Sequence, residues 1–325
     1  TSMGVEFRNE GVRSNVLGKP MKEPQDVPFE KEGQYLKSDN RSNISYFLEH
    51  NVLLRRFTLS VGVLANYNSA LNEGIHFYPG IDASYRIKDN FRLYGSWNRA
   101  LRMPTFTDLY YEGKTNKGNP DLKPEESEAF EVGLKYNTYF LRAHIAGFYR
   151  KGKNMIDWVK EKPEDIWESR NLTKVDNLGF ETNLSLLPRE LGNERFFIRK
   201  IELGYAFIHQ DKDSEGYISN YALDYLKHKF TAQLSHSIWK GFSATWYVRW
   251  QDRAGSYTKY ENLKPAYEEP YAPYCLVDMK VNWEYQRLNL YAELNNLLNS
   301  TYYDLGNIPQ PGIWFKAGFR YSFKY

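Results

Sequence analysis

The last segment of the chain has the clearest hydrophobic pattern. Phe315, Ala317, Phe319, Tyr321, Phe323 and Tyr325 alternate with Lys316, Gly318, Arg320, Ser322 and Lys324. Successive side chains of a strand point to opposite faces, so this segment predicts a strand with one apolar, aromatic face and one polar face, running to the chain end. The same period of two recurs upstream. Leu288, Leu290, Ala292 and Leu294 oppose Asn289, Tyr291, Glu293 and Asn295. Cys275, Val277, Met279, Val281, Trp283 and Tyr285 oppose Leu276, Asp278, Lys280, Asn282 and Glu284, and Phe242, Ala244, Trp246, Val248 and Trp250 oppose Ser243, Thr245, Tyr247, Arg249 and Gln251. Further alternation covers 57–67, 81–87, 91–97, 130–136 and 141–149, and weaker cases lie near 5–7, 44–48, 179–186, 203–207 and 230–238. The pattern predicts about fourteen strands, most near the ~9–11 residues that cross a bilayer when tilted.

The connections alternate too. Tight links at 88–90, 137–138 and 284–287 separate long polar links at 19–40, 102–126, 210–226 and 253–273. Short turns at one end and long loops at the other suit a transmembrane antiparallel β-barrel, whose strands face lipid on one side and a polar interior on the other. A soluble β-sandwich has no reason to keep that asymmetry. The expected interior face carries Arg86, Arg92, Glu131, Lys135, Glu181, Lys229, Arg249, Lys280, Glu293 and Arg320.

Composition narrows the function. With 27 Tyr and 17% aromatic residues in 325, a mean hydropathy of -0.67 reflects polar loops and a polar interior rather than a lack of apolar surface. No run of eighteen apolar residues provides a transmembrane helix, and the chain does not open on a signal peptide. The 43 basic and 40 acidic side chains nearly cancel, which argues against nucleic acid as a partner. Cys275 stands alone and can form no internal disulfide. No Gly-x-Ser-x-Gly, His-Glu-x-x-His or phosphate-cradling loop is present, so no enzyme and no cofactor are expected. His228 and His236 share a face but are too far apart for a metal pair, and Asp211, Asp213, Glu215 and Gly216 give an incomplete calcium ladder.

Four ordered motifs carry a family resemblance over essentially the whole chain. Residues 97–111 contain Arg102-Met103-Pro104 at the end of a predicted strand; Gly118-Asn119-Pro120-Asp121-Leu122-Lys123-Pro124-Glu125 closes the loop that follows; Ser127 and Phe130-Glu131-Val132-Gly133 open the next strand; and Asn295-Asn296-Leu297-Leu298-Asn299, Tyr302-Tyr303 and Pro309-Gln310-Pro311-Gly312 lie near the end. This resembles the TonB-dependent outer-membrane receptors. The resemblance implies an all-β fold, with residues 1–325 as about the last fourteen strands of a 22-stranded plugged barrel and with the plug and early strands outside this chain. It implies the Gram-negative outer membrane as location and TonB-driven import of a scarce nutrient as activity. The implied partners are membrane lipid, an amino-terminal plug-and-barrel half that stays assembled with this part, TonB through the absent amino-terminal segment, and a surface lipoprotein.

The 306–312 loop is similar to that of gut-bacterial cobalamin receptors, with ferric siderophore or haem as the alternative cargo. A passive self-closed channel and a soluble carbohydrate-binding protein remain the rival readings. Loop tyrosines Tyr110, Tyr111, Tyr217, Tyr221, Tyr257, Tyr260 and Tyr267 are candidates for stacking against a ligand or lipoprotein. Phe319, Tyr321, Phe323 and Tyr325 resemble the terminal signal read by the barrel-assembly machinery.

Overall fold

A computed structural model describes residues 1–325 except 31, 72–73, 163, 193–194, 214–215, 220–224, 263 and 324–325. Fourteen long strands form its wall: β1 (Ser2–Ser14), β2 (Gln34–Leu53), β3 (Phe57–Asn68), β4 (Ile75–Lys88), β5 (Phe91–Arg102), β6 (Glu125–Asn137) and β7 (Leu141–Lys160) in the first half. The second half supplies β8 (Trp167–Leu186), β9 (Ile198–Asp213), β10 (Leu226–Ser237), β11 (Phe242–Arg253), β12 (Tyr274–Tyr285), β13 (Leu288–Asn295) and β14 (Trp314–Tyr321). Each pairs antiparallel with the next in sequence, so the wall is a meander of hairpins.

Register keeps the two faces apart along the whole sheet. Phe242 pairs with Trp283, Trp246 with Met279 and Leu290 with Phe319 on one face; Thr245 pairs with Lys280, and Glu293 with Lys316, on the other. All ten charged residues assigned above to the interior fall on that second face. The first face leaves large apolar side chains uncovered, among them Ile81, Val132, Ile145 and Leu178. A one-layer wall between lipid and a polar interior needs no conventional core. The buried apolar residues include Leu122, Trp158, Val159, Val175 and Tyr271 toward the long-loop end, and Tyr78, Ala146, Ala244 and Leu276 elsewhere in the wall.

The short connections at 54–56, 89–90, 138–140, 238–241 and 286–287 lie at one end together with the longer 187–197, and the other end carries the long loops 15–33, 103–124, 214–225, 254–273 and 296–313 with the shorter 69–74 and 161–166. Three features depart from the sequence expectation. Strands β2, β7 and β8 each reach 20 residues, so their tips stand well beyond the apolar band. The long loops carry strands of their own, with Lys19–Asp26 paired to β2 and a hairpin of Ser256–Glu261 with Lys264–Pro270. The final strand stops at Tyr321 rather than at the chain end, although the Ser322 amide still donates to the Arg287 carbonyl (3.0 Å). Tyr325 lies outside the described residues. Among the described residues no pairing joins β1 to β14, so the wall has two free edges.

Candidate functional site

The long-loop end is where side chains converge, and its first element is the 103–124 loop. Arg102 closes its base with a two-pronged ion pair to Glu125, the Nη2 to Oε1 leg being 2.6 Å. Glu125 is buried and also accepts from the Ile156 amide (2.8 Å). Thr105 caps the short helix Phe106–Tyr110 reciprocally with Asp108. Gly118 packs against that helix so closely that a Cβ would sit 2.8 Å from the Tyr110 nitrogen, and its amide donates to the Tyr111 carbonyl (2.6 Å). The Arg-x-Pro and Gly-Asn-Pro elements are thus a clamp and a fold-back that fix one loop. Arg41 fastens it to the first hairpin, donating to Glu10 (2.6 Å) and to the Pro104 carbonyl (2.6 Å), with its guanidinium 5.0 Å from the Phe106 ring centroid.

Two loops cross at the tip of the β7–β8 hairpin. Asn116–Lys117, from the loop before β6, pair in parallel with Trp167–Glu168 of β8. Ile218–Ser219, from the loop after β9, pair with Val159–Lys160 of β7. Each loop therefore reaches past its nearer strand to the hairpin's far edge. They do so on opposite faces: Tyr111 lies edge-on to Trp158 (6.5 Å), while the Tyr217 hydroxyl accepts from Arg170 (2.6 Å) and Ser219 donates to Asp157, next in sequence to Trp158. Asp157, Trp158, Val159 and Ser169 are buried in consequence. Hydrogen bonding to Glu168 raises the pKa of the Arg170 guanidinium, which stays charged against the Tyr217 ring (4.9 Å).

A third cluster joins the loops 254–273 and 296–313. Tyr257 packs against Tyr271 (5.1 Å) and Tyr303 (5.8 Å), and a Cβ on Gly306 would fall 2.3 Å from the Tyr257 Cβ. Asn307 donates to the Thr258 carbonyl (2.7 Å), and Tyr274 donates to Asp304 (2.6 Å).

Below the loops, the inner wall is polar and of mixed sign. The Tyr94 hydroxyl donates to Glu131 (2.7 Å) and lies 2.6 Å from His144 Nε2, with the Lys135 ammonium 4.5 Å from its ring centroid. That ring lies across Gly133, where any Cβ would meet it at 2.5 Å. Glu293 holds both Lys280 (2.7 Å) and Lys316 (2.5 Å). A cavity of about 670 Å³ opens beside them, lined in part by Arg199, Asn282 and Arg320. Among the described residues no group of three His, Cys, Asp or Glu is placed to hold a metal ion. This wall can bind a polar surface or water.

The candidate tyrosines do not form one patch. Tyr110 donates to Asp39 (2.6 Å), and burial, followed by that bond, raises its pKa above the ordinary phenol value. Tyr111, Tyr217 and Tyr257 pack as described, with Tyr111 still 39% exposed. Tyr260 and Tyr267 are 55% and 52% exposed on the 256–270 hairpin. Tyr221 and Glu215 lie outside the described residues. Phe319 and Tyr321 sit on the free edge strand, with Phe323 just beyond it and edge-on to Tyr321 (4.9 Å). Sequence reasoning missed Arg41, Trp158 and Arg170, which organise the loops from strand tips. The signal for them was an Arg or Trp just beyond the apolar alternation.

Comparison with known proteins agrees with this architecture. A family model described as TonB dependent receptor-like, beta-barrel, matches residues 1–297. The vitamin B12 transporter BtuB of Vibrio vulnificus is 26% identical over 225 residues, which cover 52% of this chain and 36% of that protein. The ferrienterobactin receptor of Escherichia coli is 22% identical over 297 residues, 82% of this chain and 38% of that protein. A crystal structure of the ferric enterobactin receptor of Pseudomonas aeruginosa superposes with a TM-score of 0.74 at 19% identity, over 99% of this chain and 51% of that one. The chain spans little more than a third of these curated relatives and about half of that solved structure.

Proposed function

The chain belongs to the TonB-dependent receptor β-barrel family of the Gram-negative outer membrane, and from that premise we propose that it is the greater part of the wall of an active importer for a scarce nutrient. The two free edges support this most directly. An unpaired strand edge in hydrocarbon costs several kcal/mol for each unsatisfied backbone group, so β1 and β14 require further strands beside them. The proposal supplies these from the rest of a 22-stranded barrel whose plug sits against the mixed-sign inner wall. TonB acts on that plug-bearing part, and the docked loops admit the cargo from outside. The protein is a transporter and not an enzyme.

For cargo we propose cobalamin or a related corrinoid, supported by similarity to vitamin B12 transporters. A ferric siderophore is the second reading, favoured by the longer match to the ferrienterobactin receptor. In either case Tyr111, Tyr260 and Tyr267 offer exposed ring area to the cargo or to a surface lipoprotein.

The test is uptake of labelled cyanocobalamin, and separately of a labelled ferric catecholate, by cells producing the receptor with and without TonB. TonB-dependent corrinoid uptake supports the first cargo, and TonB-dependent iron uptake alone supports the second. Native mass spectrometry of the detergent-extracted protein checks the assembly. A folded monomer of this chain alone, with steady conductance in a planar bilayer, overturns the importer in favour of a passive pore.

A further inference from the structure

The charge of the chain is divided between its two ends. The loops at 15–33, 69–74, 103–124, 161–166, 214–225, 254–273 and 296–313 hold nine lysines, no arginine and 17 carboxylates, a net charge of -8. The whole chain carries +3, so the residues outside these loops carry +11, and the connections at the opposite end account for +3 of that. Acid is therefore a property of the mouth. Glu161, Glu164 and Asp165 are exposed on the loop that tops the β7–β8 hairpin. Among the described residues only one of the loop carboxylates, Glu269, has an ion-pair partner, Lys259 at 3.8 Å.

Arginines at the strand tips do not offset this acid. Arg41 is held by Glu10 and the Pro104 carbonyl, Arg102 by Glu125, and Arg170 by Glu168 and the Tyr217 hydroxyl. The Arg253 guanidinium lies 5.5 Å from the Tyr271 ring centroid. A planar guanidinium is the side chain best matched to paired anionic oxygens, and each of these four already has a partner within the protein. What the mouth offers instead is ring area. Tyr111, Tyr260 and Tyr267 remain exposed there, and the faces of their rings are themselves electron-rich.

The two cargo classes respond differently to such a mouth. A ferric tris-catecholate carries three negative charges. Cyanocobalamin carries none, because the charges of its cobalt, corrin ring, cyanide and phosphodiester cancel. Charged protein surfaces generate potentials of several kT per unit charge. At about one kT, below that range, a trianion is thinned roughly 20-fold at the mouth and a neutral cargo not at all. The exclusion grows exponentially with cargo charge, whereas ring stacking needs no charge on the cargo.

We infer that the acidic mouth is a charge filter, which turns away polyanionic iron chelates and admits uncharged or cationic cargo to the exposed tyrosine rings. The inference rests on the importer reading and deepens it, since it assigns the corrinoid class to the cargo and leaves the triply charged catecholate outside. Glu161, Glu164 and Asp165 act in this filter through their field, without touching the cargo.

The test reads the field directly, without reference to any cargo. The assembled receptor, with Cys275→Ser and any other cysteine removed, receives a reporter thiol by Ile166→Cys or Tyr260→Cys, both at exposed loop positions. Each thiol is reacted with a cationic trimethylammonioethyl methanethiosulfonate and with its anionic sulfonatoethyl counterpart. Relative to a free thiol, the cation should be favoured about sevenfold at low salt, as one kT acting on two opposite unit charges requires. The preference should vanish at 1 M salt, where the Debye length is about 3 Å. Glu161→Gln with Glu164→Gln should reduce it more at the Ile166→Cys reporter than at the Tyr260→Cys reporter. Heat-modifiable gel mobility verifies that each variant is folded. Equilibrium binding then checks the consequence: cyanocobalamin should bind with little salt dependence, and its monocarboxylate derivative more weakly at low salt than at high. Equal normalised rates for the two reagents overturn the inference, and so does tight binding of ferric tris-catecholate that weakens as salt rises. An intact cation preference in a receptor that takes up neither cargo with TonB present upholds the filter and overturns the importer reading alone.

Discussion

Replacing Arg102 with alanine tests whether the loop motif acts as a clamp. The side chain of Glu125 is 8% exposed and that of Arg102 is 52% exposed, so the two ends of the ion pair are not equivalent. Without Arg102, the Glu125 carboxylate stays buried with the Ile156 amide as its donor. Truncating one partner of a fully buried pair costs roughly 3–5 kcal/mol, and the exposure of Arg102 discounts this towards the surface range. We expect about 2 kcal/mol, felt as local opening of the 103–124 loop. That corresponds to a roughly 30-fold rise in amide exchange, read by mass spectrometry on peptides containing Gly118 and Asn119, whose amides are bonded within the loop. Glu125→Gln should do less, because it strands a guanidinium that water reaches. The short-turn end should be unaffected. Equal effects of the two variants, or unchanged exchange in the loop after Arg102→Ala, would refute the clamp.

Further outcomes follow from the same geometry. Gly306→Ala should separate the 254–273 and 296–313 loops at a cost of about 1–3 kcal/mol, read as faster exchange at both. Because the pKa of Tyr110 is raised, its bond to Asp39 contributes fully below the ordinary phenol value of 10.0. The contribution is lost as pH climbs beyond it. Ultraviolet titration should show late-titrating phenols, one fewer after Tyr110→Phe, and the effect of that substitution on loop exchange should fade above that range. Tyr260→Ala should leave loop exchange unchanged while weakening cargo binding up to about tenfold, the worth of one stacked ring. Equilibrium binding to labelled cargo decides that.

The alternation was legible because physics enforces it. Each wall residue faces either hydrocarbon or the interior, so Phe242, Ala244, Trp246 and Val248 could not have been scrambled without exposing polar atoms to lipid. All fourteen strands and the ten interior charges follow from that rule. The rule lapses at the rim. Beyond Tyr149 the strand continues as Arg150-Lys151-Gly152-Lys153-Asn154, with no apolar periodicity to read, and so the alternation marked β7 only as far as Tyr149 and β8 only from Gly179, although both strands run further. The loop contacts were illegible for another reason. Arg41 to Pro104 and Arg170 to Tyr217 join positions far apart in sequence, and nothing local marks which tyrosine is spent on internal packing and which is left exposed. The clamp residues Arg102 and Glu125 were visible as a motif, but their pairing was not.

The crossing of two loops over the β7–β8 tip has a consequence for exchange of parts between related receptors. Residues 116–117 and 218–219 each depend on an edge of a hairpin that neither belongs to, and each covers a face that the other leaves bare. A graft of either loop alone would bring a strap without its anchor, and a graft of the hairpin alone would unfasten both straps. Recombination at this end is therefore expected to move one continuous block, from 103 to 225, that carries both straps, the hairpin and the intervening wall. New surface variety in this sector is expected to arrive as whole blocks, whereas the 256–270 hairpin can vary at its exposed tip without disturbing the crossing.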